Sequence, residues 1–93
     1  MIDQDSIVVR NNDRFISSDL GTEVVLLDLS SGNYISMNVI GALIWKVLEK
    51  SESVSNLITM LIAKTDVTED QCRKETISFL TDLYEQEIIK LHS

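Results

Sequence analysis

Few side chains in this sequence are of a kind that does chemistry, and their spacing argues against it. The single histidine, His92, stands next to the C-terminus, where a chain end frays, so no histidine-based acid/base or nucleophilic pair is expected. One cysteine, Cys72, with one histidine cannot assemble a transition-metal cluster. Cys72 has no partner for an intramolecular disulfide either, which points to packing alone in a reducing compartment. Among apolar neighbours at helical spacing it reads as an inert buried thiol rather than a nucleophile. Glu69, Asp70, Glu75, Asp82, Glu85 and Glu87 have the spacing of a solvated helix surface. Gly21 and Gly32 fall in turns and Gly41 within a helix, so there is no phosphate-cradling loop. The expectation is a protein that is not an enzyme, with no cofactor and no metal.

The elements that carry these residues fit a single domain over 1–93. The chain has 93 residues, 44% of them hydrophobic, and no proline, low-complexity tract or internal repeat marks a linker. The signals run strands first, then helices. Residues 14–18 and 22–29 are β-rich and separated at Leu20-Gly21; Ser30-Ser31-Gly32 breaks the chain again before Asn33 to Met37. This predicts a three-stranded antiparallel meander. Residues 7–9 are also apolar, and for residues 1–13 a short strand, a packing arm and a loose lead-in stay open.

After Met37 the hydrophobic period changes from two to about 3.6. Asn38 caps a helix with Ile40, Leu43, Ile44, Val47 and Leu48 on one face, and Ser53 caps a second with Val54, Leu57, Ile58, Leu61 and Ile62. Thr68 and Gln71 form a Thr-x-x-Gln capping box, starting a third helix near Glu69 that runs to about Gln86, with Ile88-Ile89 folding back as an apolar tail. On the wheel this helix shows two neighbouring faces, Cys72, Thr76, Phe79 and Leu83 on one and Ile77, Leu80 and Tyr84 on the other. Both are core, or one lines a groove. The fold class is thus α+β, a three-stranded antiparallel sheet followed by three helices, an order that also describes a winged helix-turn-helix.

Charge sorts the partners. The net charge is −7 and the isoelectric point about 4.4, which opposes phosphate backbones and anionic membranes. From Thr68 to Glu87 six acidic residues face Arg73 and Lys74, the wrong sign for a recognition helix. No nucleic-acid partner is expected. The longest apolar stretch, Val39 to Trp45, is far short of the ~20 residues that span a bilayer, and residues 1–12 hold no targeting signal. A cytoplasmic protein with no membrane partner is the expectation. What remains is binding by the backbone itself. Asn33, Tyr34, Ile35, Ser36 and Met37 form the edge of the meander without lysine, proline or inward charge, the devices that guard an edge against strand addition. Its own helices, a second copy or an extended peptide would each cover that edge.

Residues 24–49, VVLLDLSSGNYISMNVIGALIWKVLE, resemble the strand, Ser-Gly turn, strand and helix of PqqD-like proteins, the peptide-leader recognition elements (RiPP recognition elements) of ribosomally made natural products. Leu27-Asp28, Gly32, Tyr34, Asn38, Gly41 and Trp45 carry the match, and Ser53-Val54, Leu57-Ile58, Leu61, Phe79-Leu80, Leu83 and Ile88-Ile89 extend it over about residues 14–90. The free-standing length is most similar to the leader-binding proteins of lasso-peptide biosynthesis, which partner a separate leader protease. The resemblance implies a non-catalytic adaptor in which the precursor's leader peptide pairs with the third strand and lies against the third helix, for presentation to a leader protease or other maturation enzyme. Gly32, Asn38, Gly41 and Trp45 are expected to be scaffold and not site, as turn, cap, close approach and core volume with an N–H seeking a partner. The expected leader-binding residues are Asn33, Tyr34, Ile35, Ser36 and Met37 with Cys72, Glu75, Thr76 and Phe79, Glu75 meeting a cationic leader residue at the rim. Glu87 stands where the family commonly has glycine, which bears on the geometry of the tail. The alternatives are a structural partner subunit or homodimer using the same edge strand, and an acidic winged-helix regulator.

Overall fold

In a computed structural model, which describes residues 2–21 and 23–92, the chain forms an α+β domain of six strands and three helices. The expected start of the second strand at Thr22 lies outside the described residues. The strands are β1 (Ile7–Arg10), β2 (Phe15–Asp19), β3 (Val24–Asp28), β4 (Tyr34–Met37), β5 (Glu52–Ser53) and β6 (Ile89–Leu91); the helices are α1 (Val39–Val47), α2 (Val54–Lys64) and α3 (Glu69–Glu85).

The expected meander is β2-β3-β4, antiparallel throughout, with Leu26 opposite both Ser17 and Ile35. Side chains alternate across it. Phe15, Val24, Leu26 and Met37 point into the core, while Ile16, Leu27 and Tyr34 form one cross-strand row on the outer face. Beyond the meander and the three helices lies a second sheet, β5-β1-β6, that joins the N-terminal segment, the start of α2 and the C-terminal segment. Residues 7–9 are therefore a strand, not an arm, and the apolar tail continues into β6. Val8 and Ile89 are buried in the same core as Trp45, Leu48, Leu57 and Leu80.

All three helices start on the caps read from the sequence. Asn38 Oδ1 accepts from Gly41 N–H at 2.9 Å, Ser53 Oγ from Asn56 N–H at 3.1 Å and Thr68 Oγ1 from Gln71 N–H at 3.2 Å. The capping box at Thr68 is only half formed, because the Gln71 amide turns along the helix and donates to Glu75 Oε1 at 3.1 Å. At the other end of α3, Glu87 takes a left-handed φ of 62°. Its N–H donates to Tyr84 O at 3.0 Å and that of Ile88 to Leu83 O at 2.9 Å. This paired closure satisfies the last carbonyls and presses Ile88 onto Leu83. The geometry suits glycine; glutamate is held there because its carboxylate meets Arg14 and Asn11 Nδ2 donates to its carbonyl at 2.8 Å.

Arg14 is the hub of this region. Its Nε and Nη2 each donate to Asp28 at 3.0 Å, while Nη1 reaches Glu87, so the meander is tied to the end of α3. Asp28 Oδ1 also accepts from Ser30 N–H at 2.9 Å and its hydroxyl at 2.8 Å, shaping the turn into β4. The Arg14 guanidinium, with Ser30 and Ser31 adding to it, holds the Asp28 carboxyl well below the usual carboxylate range. Trp45 fills the core beneath Arg10, whose guanidinium lies 4.6 Å from the ring centroid and whose Nε donates to Trp45 O at 2.7 Å. The indole N–H meets no partner among the described residues. Among those residues no helix is long and apolar enough to cross a membrane.

Candidate functional site

The hairpin between β3 and β4 sets which backbone groups are free. Gly32, at φ 77°, lets the chain double back, with Gly32 N–H donating to Asp28 O at 2.7 Å and Asp28 N–H to Asn33 O at 2.9 Å. Bonded pairs in an antiparallel ladder alternate, so from this anchor Ile35 and Met37 are the β4 residues that bond Leu26 and Val24. The N–H and C=O of Tyr34 and Ser36 consequently face away from β3. Among the described residues no strand pairs with that side of β4. Tyr34 is 73% exposed, Ser36 is exposed with its hydroxyl 3.4 Å from Glu23 Oε2, Ile35 is half-buried and Met37 is buried. Asn33 is exposed and contributes its carbonyl to the hairpin.

A pocket of about 340 Å³ opens between α1, the end of α2 and α3. Cys72, Glu75, Thr76 and Phe79 line it from α3, Ile40 and Ile44 from α1, and Leu61, Thr65 and Val67 from α2 and the loop after it. Asn38, the residue following β4, lines it as well, so the pocket begins where the strand ends. Cys72 and Thr76 are buried, with Sγ 3.8 Å from Oγ1. Phe79 is half-buried, and exposed Glu75 is the one charged residue in the lining. Continuing along α3, a shallower depression of about 380 Å³ shares Glu75 and Phe79 and adds Lys74, Ser78 and Asp82.

The structure thus brings four of the nine expected residues, Cys72, Glu75, Thr76 and Phe79, into one pocket. Asn33 to Met37 do not line it; Tyr34 to Met37 form the neighbouring strand, joined to the pocket through Asn38, and Asn33 belongs to the hairpin before it. The other face of α3 goes elsewhere. Leu80 is fully buried, Ile77 packs on the core, and Tyr84 looks onto a separate depression of about 550 Å³ beside β6. Asn38, Ile40, Ile44, Leu61, Thr65 and Val67 line the pocket as well and are not among the expected residues. A hydrophobic period shows which side of a helix is apolar but not which residues oppose it, so only Asn38, adjoining the edge strand, carried a positional signal.

Residues 23–89 match the family described as Coenzyme PQQ synthesis protein D (PqqD). A solved structure described as TbiB1 in complex with the TbiA(beta) leader peptide is similar with a TM-score of 0.81 and 25% sequence identity, covering 91% of this chain and 99% of that one. No curated protein matches significantly. With residues 23–89 accounting for more than half of its length, the chain belongs to the PqqD family, as the resemblance carried by residues 24–49 implies.

Proposed function

We propose that this chain is a non-catalytic adaptor that binds the leader segment of a ribosomally made precursor peptide by strand addition on β4. The carrying observation is the juxtaposition of an unpaired strand edge with an apolar pocket that begins where the strand ends. The likeness to TbiB1, whose structure holds a leader peptide, supports the same reading. Magnitudes require both parts of the site. At roughly 1 kcal/mol net for each hydrogen bond, the N–H and C=O groups of Tyr34 and Ser36 reach at most about millimolar affinity before the cost of association is subtracted. Burying a large apolar anchor adds about 1.5–3 kcal/mol. The main chain therefore sets direction, and the pocket lined by Cys72, Thr76 and Phe79 sets register and selectivity. Glu75 at its rim favours a cationic leader residue.

The pathway we favour is lasso-peptide maturation, with the bound leader delivered to a separate leader protease. The outer face of the meander suits such a docking step. Ile16, Leu27 and Tyr34 lie there in one row, with Ile16 52% exposed, immediately beside the edge that would hold the leader. The test is to titrate isotope-labelled protein with a panel of synthetic leader peptides, those of lasso precursors and the TbiA(beta) leader. Shifts at Tyr34–Met37 and Cys72–Phe79 should appear together. Shifts confined to other surfaces would overturn the proposal, as would a stable dimer held through β4 that the leader does not dissociate. Trp45 is a poor reporter for this titration, since it is buried under Arg10 and outside the pocket lining.

A further inference from the structure

Gly41 is the third residue of α1, a helix interior where glycine is destabilising relative to alanine. Its φ is not left-handed, so backbone conformation does not demand it. Space does. A Cβ at this position would lie 3.2 Å from Phe79 Cζ, 3.3 Å from Met37 Cβ and 3.4 Å from Asn38 Oδ1. The three neighbours differ in their freedom to yield. Met37 is buried at the end of β4, and Asn38 is fixed by its cap bond to Gly41 N–H. Phe79 is half-buried, and its ring forms the wall shared by the 340 Å³ pocket and the 380 Å³ depression. The tip of that ring is the group with room to move, and the room lies in the groove.

We infer that Gly41 is a specificity-determining residue: by leaving α1 bare, it lets the Phe79 ring lie back against the helix and so sets the size of leader side chain the pocket admits. This inference rests on the leader-binding reading above. A methyl group at position 41 displaces the ring toward the pocket, narrowing the space for a large apolar anchor. The helix gains from alanine, and the close approaches to Met37 Cβ and Asn38 Oδ1 offset that gain, so stability holds roughly level while binding falls. A residue serving only to pack α1 against α3 would lower both.

The experiment is a double-mutant cycle with Gly41→Ala and Phe79→Leu, using the synthetic leader peptide of the panel above that wild type binds most tightly and thermal unfolding of each variant. Gly41→Ala should bind the peptide about five- to tenfold more weakly than wild type while its unfolding midpoint is unchanged or higher. In the Phe79→Leu background, where no ring stands against position 41, adding Gly41→Ala should change affinity less than twofold. Across leader peptides in which each apolar residue is shortened to alanine in turn, the Gly41→Ala defect should shrink for the one whose anchor has been trimmed. Equal binding by wild type and Gly41→Ala would overturn the role of Gly41 and leave the leader-binding reading intact, as would a defect undiminished by Phe79→Leu or a midpoint that falls along with affinity. A wild-type protein that binds no leader peptide would overturn the reading beneath, and the inference with it.

Discussion

β4 and β6 are both edge strands, each with one face in the core and a depression of α3 nearby, yet they are defended differently. β6 has three residues and carries Lys90, whose Nζ holds Asp13 Oδ2 at 2.6 Å. The opposite edge of its sheet, β5, has only two residues. Short edges and lysine are how sheets avoid recruiting another chain. The ladder of β1 and β6 is also extended beyond the strands, by Asn11 N–H to Ile88 O at 2.9 Å and His92 N–H to Ile7 O at 2.7 Å. β4 carries no lysine, and its one extension, at the Gly32 hairpin, ties it to β3 and leaves the outer side open. It offers the Tyr34 and Ser36 backbone groups to solvent with no charge on the strand. The second sheet is a clamp that gathers three distant parts of the chain, whereas the meander leaves the outer side of β4 unpaired among the described residues. Stability and binding should therefore separate by sheet.

The largest effect should come from breaking the clamp. Ile89, 1% exposed in β6, truncated to alanine should cost about 2–5 kcal/mol of stability by urea unfolding. Leader affinity of the folded fraction should change little. In the meander the pattern should invert. Ser36→Pro removes an outward N–H on an edge strand, a place that tolerates proline, and should weaken leader binding about tenfold, equivalent to about 1.4 kcal/mol, with Ser36→Ala within twofold. Ile35→Pro is the control, because it removes a bond to β3 and should lower stability as well; equal losses for Ser36→Pro and Ser36→Ala would point to side-chain recognition. Glu75→Lys should weaken binding by about 1 kcal/mol or more and flatten its salt dependence, measured by titration at low and high ionic strength.

Smaller still is Glu87→Gly. It relieves the left-handed φ, worth about 1–2 kcal/mol, but gives up an exposed ion pair with Arg14 worth about 0–1 kcal/mol. Glycine also loosens the unfolded chain, at a cost of about 0.4–1 kcal/mol, so the net change expected in thermal or urea unfolding runs from near zero to a gain of about 1 kcal/mol. Asp28 contributes to the acid response, beside Asp13 and Asp19, which their partners also hold below the ordinary value. Its folded carboxyl is held below the ordinary value by Arg14 and Ser30, so the stability it contributes is fully present above about pH 4. That stability is lost as pH falls through the ordinary carboxylate range toward the lower folded value. Asp28→Asn should flatten this limb of the stability–pH curve, leaving leader binding at neutral pH as the check on the shape of the β3–β4 hairpin.

The contrast between the sheets also explains what was legible in the sequence. The meander, its Gly32 turn and the three caps at Asn38, Ser53 and Thr68 arise from residues close together in the chain, and each leaves a local signature. The second sheet pairs Ile7 with Ser53 and Val8 with Leu91. β5 and β6 are too short for a period and β1 has no adjoining hairpin turn, so nothing local reveals a partner so far along the chain. Ile88-Ile89 was visible as apolar but not as a strand. The same applies to the site: β4 and the Cys72 to Phe79 side of α3 were readable as candidates, but the opposing wall of Ile40, Ile44, Thr65 and Val67 exists only once α1 and the loop after α2 are folded against it.

Amide hydrogen exchange at β4, followed residue by residue with and without the leader peptide, tests the open edge most directly. In the free monomer Ile35 and Met37 should be protected by β3 while Tyr34 and Ser36 exchange quickly, and the peptide should slow exchange at Tyr34 and Ser36 by at least tenfold. Tyr34 and Ser36 already protected in the free monomer, or unprotected in the saturated complex, would contradict strand addition.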